Sequence, residues 1–391
     1  MLPPLSDIRA DTPGCERVLH FNNAGASLIT RQALEATVDH LHREAVRGGY
    51  ETARLANDAL EQVYDSVARL LNCGRDEIAL VESATRAWDM AFYAIPFRPG
   101  DHILTATAEY ASNYIAFLQV ARRFGVSVEA IPNDEHGQLS VATLKNRMDE
   151  KVKLIAITHV PTNGGLVNPA AEVGKVARAA GVLYLLDACQ SVGQMPVDVE
   201  AIGCDLLSAT GRKYLRGPRG TGFLYVRRSA MERLEPPFLD LHAATWTAPD
   251  QFEMRADARR FETWESNVAG KIGLGAALDY ALGLGLENTY PRVVALADQL
   301  RRRLKEIPNV RVRDLGAEPC GIVTFTVAGK EALTVRDELS GRGINVSTTT
   351  PDHTRLDSEA RNLPSMVRAS VHYYNSEEEV ERFAGEIAGR L

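Results

Sequence analysis

The chain has 391 residues, of which 45% are hydrophobic and 24% charged, and its formal net charge at pH 7 is −7. Acidic and basic residues are interleaved without a basic stripe, so we expect no nucleic-acid partner. No apolar run approaches the roughly 20 residues that a membrane span requires, and the first residues lack the apolar core of a signal peptide. We therefore expect no membrane partner, and a globular protein with room for one large and one small domain.

The cysteines give the next constraint. They stand at positions 15, 73, 189, 204 and 320, an odd number without any CxxC pair. This pattern argues against a disulfide framework or a zinc site and favours a reducing compartment. We therefore predict a cytoplasmic protein without a bound metal.

Two helices are predicted in the N-terminal region. Leu34, Val38 and Leu41 fall on one face of the first helix, and Thr30 precedes it as a candidate cap. The second helix is expected around residues 55–71.

Short apolar strands then alternate with helices: EIALVES, DHILTATAEY, VSVEAIP, VKLIAITHV, VLYLLDA, CDLLSAT and GFLYVRR. Strands that are apolar throughout, separated by helices, are typical of a mainly parallel sheet covered on both faces. After about residue 268 a long helical stretch leads to the strands VRVRDL, GIVTFTVA, NVSTTT and VRASVHYY. We therefore predict a large domain over 16–267 and a small α+β domain over 268–391, with 1–15 packing on the small one.

Polar residues cluster at the carboxyl ends of these strands, where open parallel sheets bind their ligands. Each alone has an ordinary role as a helix cap, a turn residue or a surface charge. Together they suit pyridoxal phosphate (PLP), which needs a lysine for a Schiff base, an acid for its pyridine nitrogen, and helix N-termini for its phosphate. They are Ser83, Ala84, Thr85, Glu109, Tyr110, His159, Asp187, Gln190, Thr210, Gly211, Arg212 and Lys213.

The segment from Asp187 to Gly222 carries D-A-x-Q, P-V-D-V and K-x-x-x-G-P-x-G-x-G. With these elements the chain resembles the class V aminotransferase and cysteine desulfurase-like group of fold type I PLP-dependent enzymes, from about residue 20 to residue 383. The resemblance implies an α/β fold, with a mainly parallel mixed sheet in the large domain and a smaller C-terminal α+β domain. It also implies PLP as cofactor, an amino-acid substrate, and a homodimer with shared active sites.

The resemblance assigns cofactor-binding roles. Lys213 matches the Schiff-base lysine, Asp187 the partner of the pyridinium nitrogen, and Gln190 the residue on the phenolic oxygen. Tyr110 stands where the family stacks a histidine on the ring, and a phenol can stack equally well. The remaining matches are Ala84 and Thr85 in the phosphate loop, Thr210 and Arg212 beside the lysine on the phosphate, and Thr162 or its neighbour Asn163 near the phenolic oxygen.

On the substrate side, the resemblance places the loop Asn23, Ala24 and Gly25 over the substrate. Arg368 matches the arginine that grips the α-carboxylate. The family commonly donates a threonine across the dimer to the phosphate, but this chain has Glu265 and Ser266 in that segment, so the contact stays open. Four further arginines can bind a second carboxylate or simply sit in water, and we favour water: Arg255, Arg259, Arg260 and Arg355.

The small-domain loop NVSTTTPDHTRLDSEARNLP holds no cysteine. Cysteine desulfurases of this group use a cysteine there to accept sulfur, and a persulfide mechanism needs a thiolate in place. We interpret Cys189 as a small buried apolar residue and predict β-elimination, a C–S lyase reaction, on an S-substituted cysteine or cysteine sulfoxide. The alternatives are an aminotransferase or epimerase of the class V group, or a desulfurase-like enzyme without the loop cysteine. A non-enzymatic cofactor sensor is disfavoured, because the lysine is present and no DNA-binding module is fused.

Overall fold

The computed structural model describes residues 2–390. Its strands in this range are β1 (Leu19–His20), β2 (Ile78–Val81), β3 (His102–Ala106), β4 (Ser127–Ile131), β5 (Val152–Thr158), β6 (Leu183–Asp187), β7 (Leu206–Thr210), β8 (Gly222–Val226), β9 (Ala244–Ala248), β10 (Gln251–Met254), β11 (Val310–Val312), β12 (Ile322–Val327), β13 (Ile344–Asn345), β14 (Ser347–Thr349) and β15 (Met366–Ser370).

The α-helices in the same range are α1 (Leu5–Ala10), α2 (Arg31–Arg47), α3 (Gly49–Leu55), α4 (Asn57–Leu71), α5 (Ala84–Phe92), α6 (Ala111–Phe124), α7 (Val141–Asn146), α8 (Ala170–Ala180), α9 (Val199–Ile202), α10 (Val268–Leu284), α11 (Leu286–Lys305), α12 (Ala332–Ser340), α13 (Arg355–Ala360) and α14 (Glu377–Arg390).

The large domain is built on a seven-stranded sheet in the order β2-β8-β7-β6-β5-β3-β4. Strands β3 to β7 run parallel, and β8 is antiparallel to both of its neighbours. Every residue of β6 is buried, as expected for a strand covered by helices on both faces. Thr158, Asp187 and Ser208 lie side by side in the register of β5, β6 and β7, so these strands bring their ends to one edge.

The small domain has an antiparallel sheet in the order β11-β12-β15-β14. Its core includes Leu300 of α11, Phe325 of β12 and Phe383 of α14. Ile8 lies in the same core. Helix α10 joins the two cores, because its Leu274 belongs to the large-domain core whereas its last residue belongs to the small one. The division at 267/268 stays a prediction.

Helix α2 departs from the usual pattern of a surface helix. It begins as predicted, with the Thr30 side chain accepting a hydrogen bond from the Ala33 N–H. Its predicted apolar face is exposed, however, with 49% of Leu41 accessible and Leu34 and Val38 similar. The helix instead packs against α10, and a Cβ atom at Gly273 would lie 3.1 Å from the Ala33 carbonyl oxygen. The apolar stripe therefore faces outward and is available to a partner.

Arg216 is fully buried three residues after Lys213 and adopts a left-handed backbone conformation with φ of 63°. Its guanidinium donates to the Leu28 carbonyl, the Tyr373 hydroxyl and the Thr12 hydroxyl. The same group lies over the Tyr374 ring, 4.6 Å from its centroid. Lys213 and Arg216 lie on the turn between β7 and β8, here called the lysine turn. Arg216 thus connects the lysine turn to both the N-terminal segment and the small domain.

Within residues 2–390, none of the helices combines the length and apolarity that a bilayer crossing demands. The same residues contain no cluster of three or more His, Cys, Asp or Glu side chains placed to hold a metal ion.

Candidate active site

A pocket of about 560 Å³, including its open mouth, lies at the carboxyl ends of β5, β6 and β7. All nine residues that the sequence assigned to cofactor binding line it: Ala84, Thr85, Tyr110, Thr162, Asp187, Gln190, Thr210, Arg212 and Lys213. Five more residues complete the wall: Ser83, which the sequence also placed at this edge of the sheet, and Asn113, Thr158, Val160 and Cys189, which it did not.

Lys213 is held on the turn between β7 and β8. The turn is closed by a hydrogen bond from the Gly217 N–H to the Gly211 carbonyl, with N···O of 2.8 Å. It also packs against Gly193, where a Cβ atom would lie 2.5 Å from the backbone nitrogen of Leu215. Burial lowers the pKa of the Lys213 amine, and the cationic Arg212 acts in the same direction. A lowered pKa favours the neutral, nucleophilic amine that covalent bonding to a carbonyl requires.

Asp187 presents a buried carboxyl to the same pocket. One oxygen accepts the Cys189 backbone N–H at 2.9 Å, and the other accepts the Asn113 side-chain amide at 3.0 Å. Burial raises the pKa of Asp187, and hydrogen bonds from Asn113 and Cys189 oppose it. No Lys, Arg or His side chain of the described chain forms an ion pair with it. An ionised Asp187 therefore needs a cationic ligand, and a pyridinium N–H supplies one.

The predicted phosphate end of the site is the start of helix α5. The Ser83 side chain caps this helix by accepting the Arg86 N–H at 3.1 Å, and Ala84 and Thr85 are its first residues. The first N–H groups of a helix lack partners inside it and favour an anion. Strand β8 approaches closely, since a Cβ atom at Gly222 would lie 2.7 Å from the Ser83 carbonyl carbon.

The side-chain amide of Gln190 has a hydrogen-bond partner in the described chain at its nitrogen but not at its oxygen. Its side-chain N–H group donates to the Ala24 carbonyl at 3.1 Å, whereas its side-chain oxygen is buried without a hydrogen-bond partner. Buried polar atoms are nearly always paired in folded proteins. The free end lies at the pocket and fits a polar group of a bound cofactor.

Arg368 on β15, which is predicted to bind the substrate, is a buried cation. It donates to the Thr162 hydroxyl, and its Nε is buried without a partner. Burial lowers its pKa to about 10. A buried guanidinium without a carboxylate partner carries an uncompensated charge. A carboxylate ligand that accepts two parallel hydrogen bonds would compensate it.

The geometry separates Thr162 from Asn163. Thr162 lines the pocket, whereas Asn163 turns away and donates to the Thr354 hydroxyl at 2.7 Å and the Thr350 carbonyl at 3.3 Å. The Asn163 side-chain oxygen accepts from Thr349. Asn163 therefore ties the small-domain turn 349–354 to the large domain.

The loop predicted to cover the substrate lies beside the pocket but does not line it with side chains. The Asn23 amide is fully buried, where it donates to the Ser370 carbonyl at 2.7 Å and accepts from the Tyr374 hydroxyl. The Ala24 carbonyl accepts from Gln190, and the Gly25 carbonyl accepts from Arg212. The loop therefore meets the site through its backbone.

Three of the four additional arginines are occupied by carboxylates, namely Arg255 by Asp257, Arg259 by Glu61 and Arg355 by Glu359. Arg260 differs, because its Nε is buried without a partner. Ser266 lines a second, adjoining pocket together with Asn267 and Lys271, while Trp264 next to it is 61% exposed. Whether Glu265 or Ser266 of a partner meets the phosphate stays a prediction.

The model of the family described as "Aminotransferase class-V" matches residues 19–383. The chain belongs to this family, and it is a PLP-dependent enzyme of fold type I. A probable cysteine desulfurase of Synechocystis sp. is 31% identical over 94% of this chain and 89% of its own length. An apo cysteine desulfurase from Thermococcus onnurineus NA1 superposes with a TM-score of 0.91 and 27% identity, covering 100% of this chain and 99% of that chain.

The cystine C–S lyase C-DES is also similar, in a complex with its reaction product cysteine persulfide. It has a TM-score of 0.87 and 25% identity, covering 97% of this chain and 99% of that chain. A second C-DES structure has glycine covalently linked to the PLP cofactor.

The residues at the pocket fit PLP. The aldehyde of the cofactor matches the Lys213 amine, whose pKa is lowered by burial, and its ring nitrogen matches the Asp187 carboxyl, which forms no ion pair within the described chain. Its phosphate matches the open start of α5. The sequence missed Asn113, although it stands three residues after Tyr110 in the first turn of α6. It also missed Thr158, which is the register neighbour of Asp187 at the end of β5.

Proposed function

We propose that this enzyme is a C–S lyase that eliminates the sulfur substituent from an S-substituted cysteine or cysteine sulfoxide. The observation that carries the proposal is the turn 349–354, which has no cysteine and is fixed to the large domain by Asn163. Without a thiol at this turn, sulfur has no protein acceptor there and leaves with the elimination product. The similarity to the cystine C–S lyase C-DES supports this assignment.

In this proposal Lys213 holds the cofactor covalently, Asp187 bonds its ring nitrogen, and Gln190 bonds its phenolic oxygen. Ala84, Thr85, Thr210 and Arg212 surround the phosphate. Tyr110 stacks on the ring. When bound, PLP accepts the electron pair that the substrate Cα carbon releases.

Arg368 would orient the substrate. A planar guanidinium binds a carboxylate with two parallel hydrogen bonds and so fixes the angle of the Cα–H bond, which a lysine ammonium cannot do. Its unpartnered Nε and its Nη groups supply the donors. Asn23, Ala24 and Gly25 would close the opposite side of the substrate through their backbone.

The Lys213 amine would take the proton from Cα. The Cβ–S bond would then break, and its electron pair would leave with the sulfur fragment, which is a thiolate from an S-alkyl cysteine, a persulfide from cystine or a sulfenate from a cysteine sulfoxide. Addition of water to the remaining three-carbon unit gives pyruvate and ammonia, so no oxidant or reductant is needed.

A desulfurase-like reaction is the second candidate, because the curated relatives bear that name and Cys189 lines the pocket. Burial raises the pKa of the Cys189 thiol, which disfavours the thiolate that would accept sulfur. Aminotransfer and epimerisation would use the same site, and only the products distinguish them. All five cysteines are free, which supports our proposal of a reducing compartment such as the cytoplasm.

The test is incubation of the PLP-loaded enzyme with cystine, S-alkyl cysteines, cysteine sulfoxides, cysteine, cysteine sulfinate and common amino donors. Pyruvate supports the lyase when it forms together with a thiol, a persulfide or, from a cysteine sulfoxide, a sulfenic acid. Alanine from cysteine would establish desulfuration, an aminated cofactor would establish aminotransfer, and loss of optical activity without other products would establish epimerisation. Cys189→Ser is the matched variant, since it should keep pyruvate formation but abolish alanine formation that passes through this thiol.

We also propose a homodimer with shared active sites. Large apolar side chains are exposed on α2, on the β9–β10 hairpin and in the segment after it, as shown by Leu41, Trp246, Phe252 and Trp264. Exposed apolar surface of this extent marks an interface. Light scattering should give twice the chain mass, and a catalytically competent monomer would contradict the proposal.

A further inference from the structure

A second buried carboxyl lies behind Asp187. Glu109, only 3% exposed, precedes helix α6. The side-chain nitrogen of Asn113 donates to Glu109 at 2.8 Å and to Asp187 at 3.0 Å. Carboxyl groups on both sides require donors, so the amide orientation is fixed by its partners. One amide therefore couples two buried acids.

Glu109 is surrounded by donors but has no cationic partner. It accepts from the Thr158 backbone N–H at 2.8 Å, the Thr158 hydroxyl, the Tyr110 backbone N–H at 3.0 Å and the Thr105 hydroxyl at 3.2 Å. Burial raises its pKa to about 7, and the hydrogen bonds from Thr158 and Asn113 oppose this shift. No Lys, Arg or His of the described chain pairs with it.

Such an arrangement is unusual for a purely structural acid. The Asp314 side chain in the small domain is also largely buried, at 5% exposed, but it forms an ion pair with Arg301 at 2.9 Å. Glu109 has instead the hydrogen bonds of an ionised carboxylate without the cation. The charged and titratable groups near the two acids are Lys213 on the turn between β7 and β8, the Cys189 thiol and Tyr184 on β6.

We propose that Glu109 is a positioning residue that, through Asn113, aims the Asp187 carboxylate and helps to retain a proton between Asp187 and the cofactor's ring nitrogen. A negative charge behind Asp187 raises the proton affinity of the pair in front of it, because the surroundings are buried. The Asn113 bond keeps Asp187 in its carboxylate form, which leaves the proton on the ring. The proposal rests on Asp187 as the partner of the ring nitrogen, and it does not depend on which reaction follows.

The test is Glu109→Gln in the PLP-loaded enzyme, with a nitrogen-15 label on the ring. In the unmodified enzyme the ring-nitrogen resonance should stay at its protonated position between about pH 6 and pH 9. In the variant, loss of the charge should move it toward unprotonated pyridine, with an apparent titration lower by about one unit or more. kcat should fall about tenfold or more while the KM of the amino acid changes little. The matched control is Asp205→Asn, which removes a partly buried carboxylate bonded to the Tyr184 N–H near the other end of β6, and it should leave the resonance unchanged.

Asn113→Ala is the second variant, in case Glu109→Gln folds poorly. This substitution removes the amide that bonds both Glu109 and Asp187 and leaves the other donors to Glu109 in place. The ring-nitrogen resonance should move in the same direction as in Glu109→Gln. A folded, PLP-loaded form of either variant with the resonance and its pH dependence unchanged would overturn the proposal. Because this readout needs no substrate, failure of the lyase assignment would leave it intact.

Discussion

Two buried arginines of the small domain show how a structural cation differs from one that awaits a ligand. Arg301 and Arg368 are 6% and 8% exposed. Arg301 bonds Asp314, Asp298 and the carbonyls of Cys320 and Ile322. Among the described residues Arg368 bonds only Thr162, and its Nε has no partner there. Burial opposes the charge of both, but Asp314 outweighs it and raises the pKa of Arg301, whereas the pKa of Arg368 is lowered to about 10.

The difference separates two regions of one molecule. In the small domain the buried charge of Arg301 meets the charge of Asp314, and the result is stability. At the pocket and beside it, Gln190 and Arg368 each have a buried polar atom without a partner among the described residues, and the buried Asp187 forms no ion pair there. Each unsatisfied buried polar group lowers the stability of the folded protein by about 1–3 kcal/mol. The packing around the pocket offsets this cost until a ligand pairs with these groups.

The largest expected effect comes from Lys213→Ala. Turnover should fall by about 10⁴-fold or more, because this residue both holds the cofactor and moves the proton. Borohydride reduction followed by peptide mapping should locate the cofactor on Lys213 in the unmodified enzyme and on no residue of the variant. Finding it on another lysine would overturn the assignment of the site.

Asp187→Ala should come next. The variant should retain part of its cofactor through the phosphate contacts, yet lose activity by on the order of a hundredfold or more, since an unprotonated ring is a poor electron acceptor. Cofactor content by absorbance and steady-state rates measure the two effects separately. Rates within a few-fold of the unmodified enzyme would remove Asp187 from its proposed role.

The paired variants Arg368→Ala and Arg301→Ala test the comparison directly. Arg368→Ala should lower kcat/KM for the amino-acid substrate by about a hundredfold, equivalent to about 3 kcal/mol, and Arg368→Lys should recover part of it. Arg301→Ala should instead lower the free energy of unfolding by about 3–5 kcal/mol, because Asp314 is left unpaired.

Denaturant unfolding measures the stability of each variant, and steady-state kinetics on the folded enzyme measures its kcat/KM. Arg301→Ala should keep kcat/KM within about threefold, and Arg368→Ala should keep its cofactor. If the two variants exchanged these phenotypes, the distinction between the regions would be lost.

The smallest effect is expected from the cysteines. Replacement of all five by serine or alanine should leave the product unchanged and the rate reduced only as far as lost stability explains, because the turn 349–354 carries no cysteine. A specific loss of activity in a folded variant, traced to Cys189, would revive the desulfurase assignment.

The sequence predicted the sheet and eight of the nine pocket residues because apolar strands and the polar residues that follow them are local patterns. Thr162 was predicted from the family resemblance alone. The sequence did not reveal Asn113, whose role depends on two carboxyls that are distant along the chain, or the orientation of Asn163, which depends on the turn 349–354. It missed the β9–β10 hairpin, whose side chains are mostly exposed. In the sequence, the apolar face of α2 has the pattern of a face that packs on a core, because interfaces and cores are built from the same apolar residue types.

Arg216 has a consequence for the order in which the enzyme matures. It bonds Thr12, Leu28 and Tyr373, and Tyr373 stands 157 residues after it in the chain. During synthesis the large domain can collapse while the ribosome still holds the C-terminal residues. The lysine turn, however, gains its last tether only when Tyr373 has emerged. We therefore expect chains stalled before residue 373 to form the sheet yet to bind PLP poorly. Incorporation of the coenzyme would then follow the completion of translation.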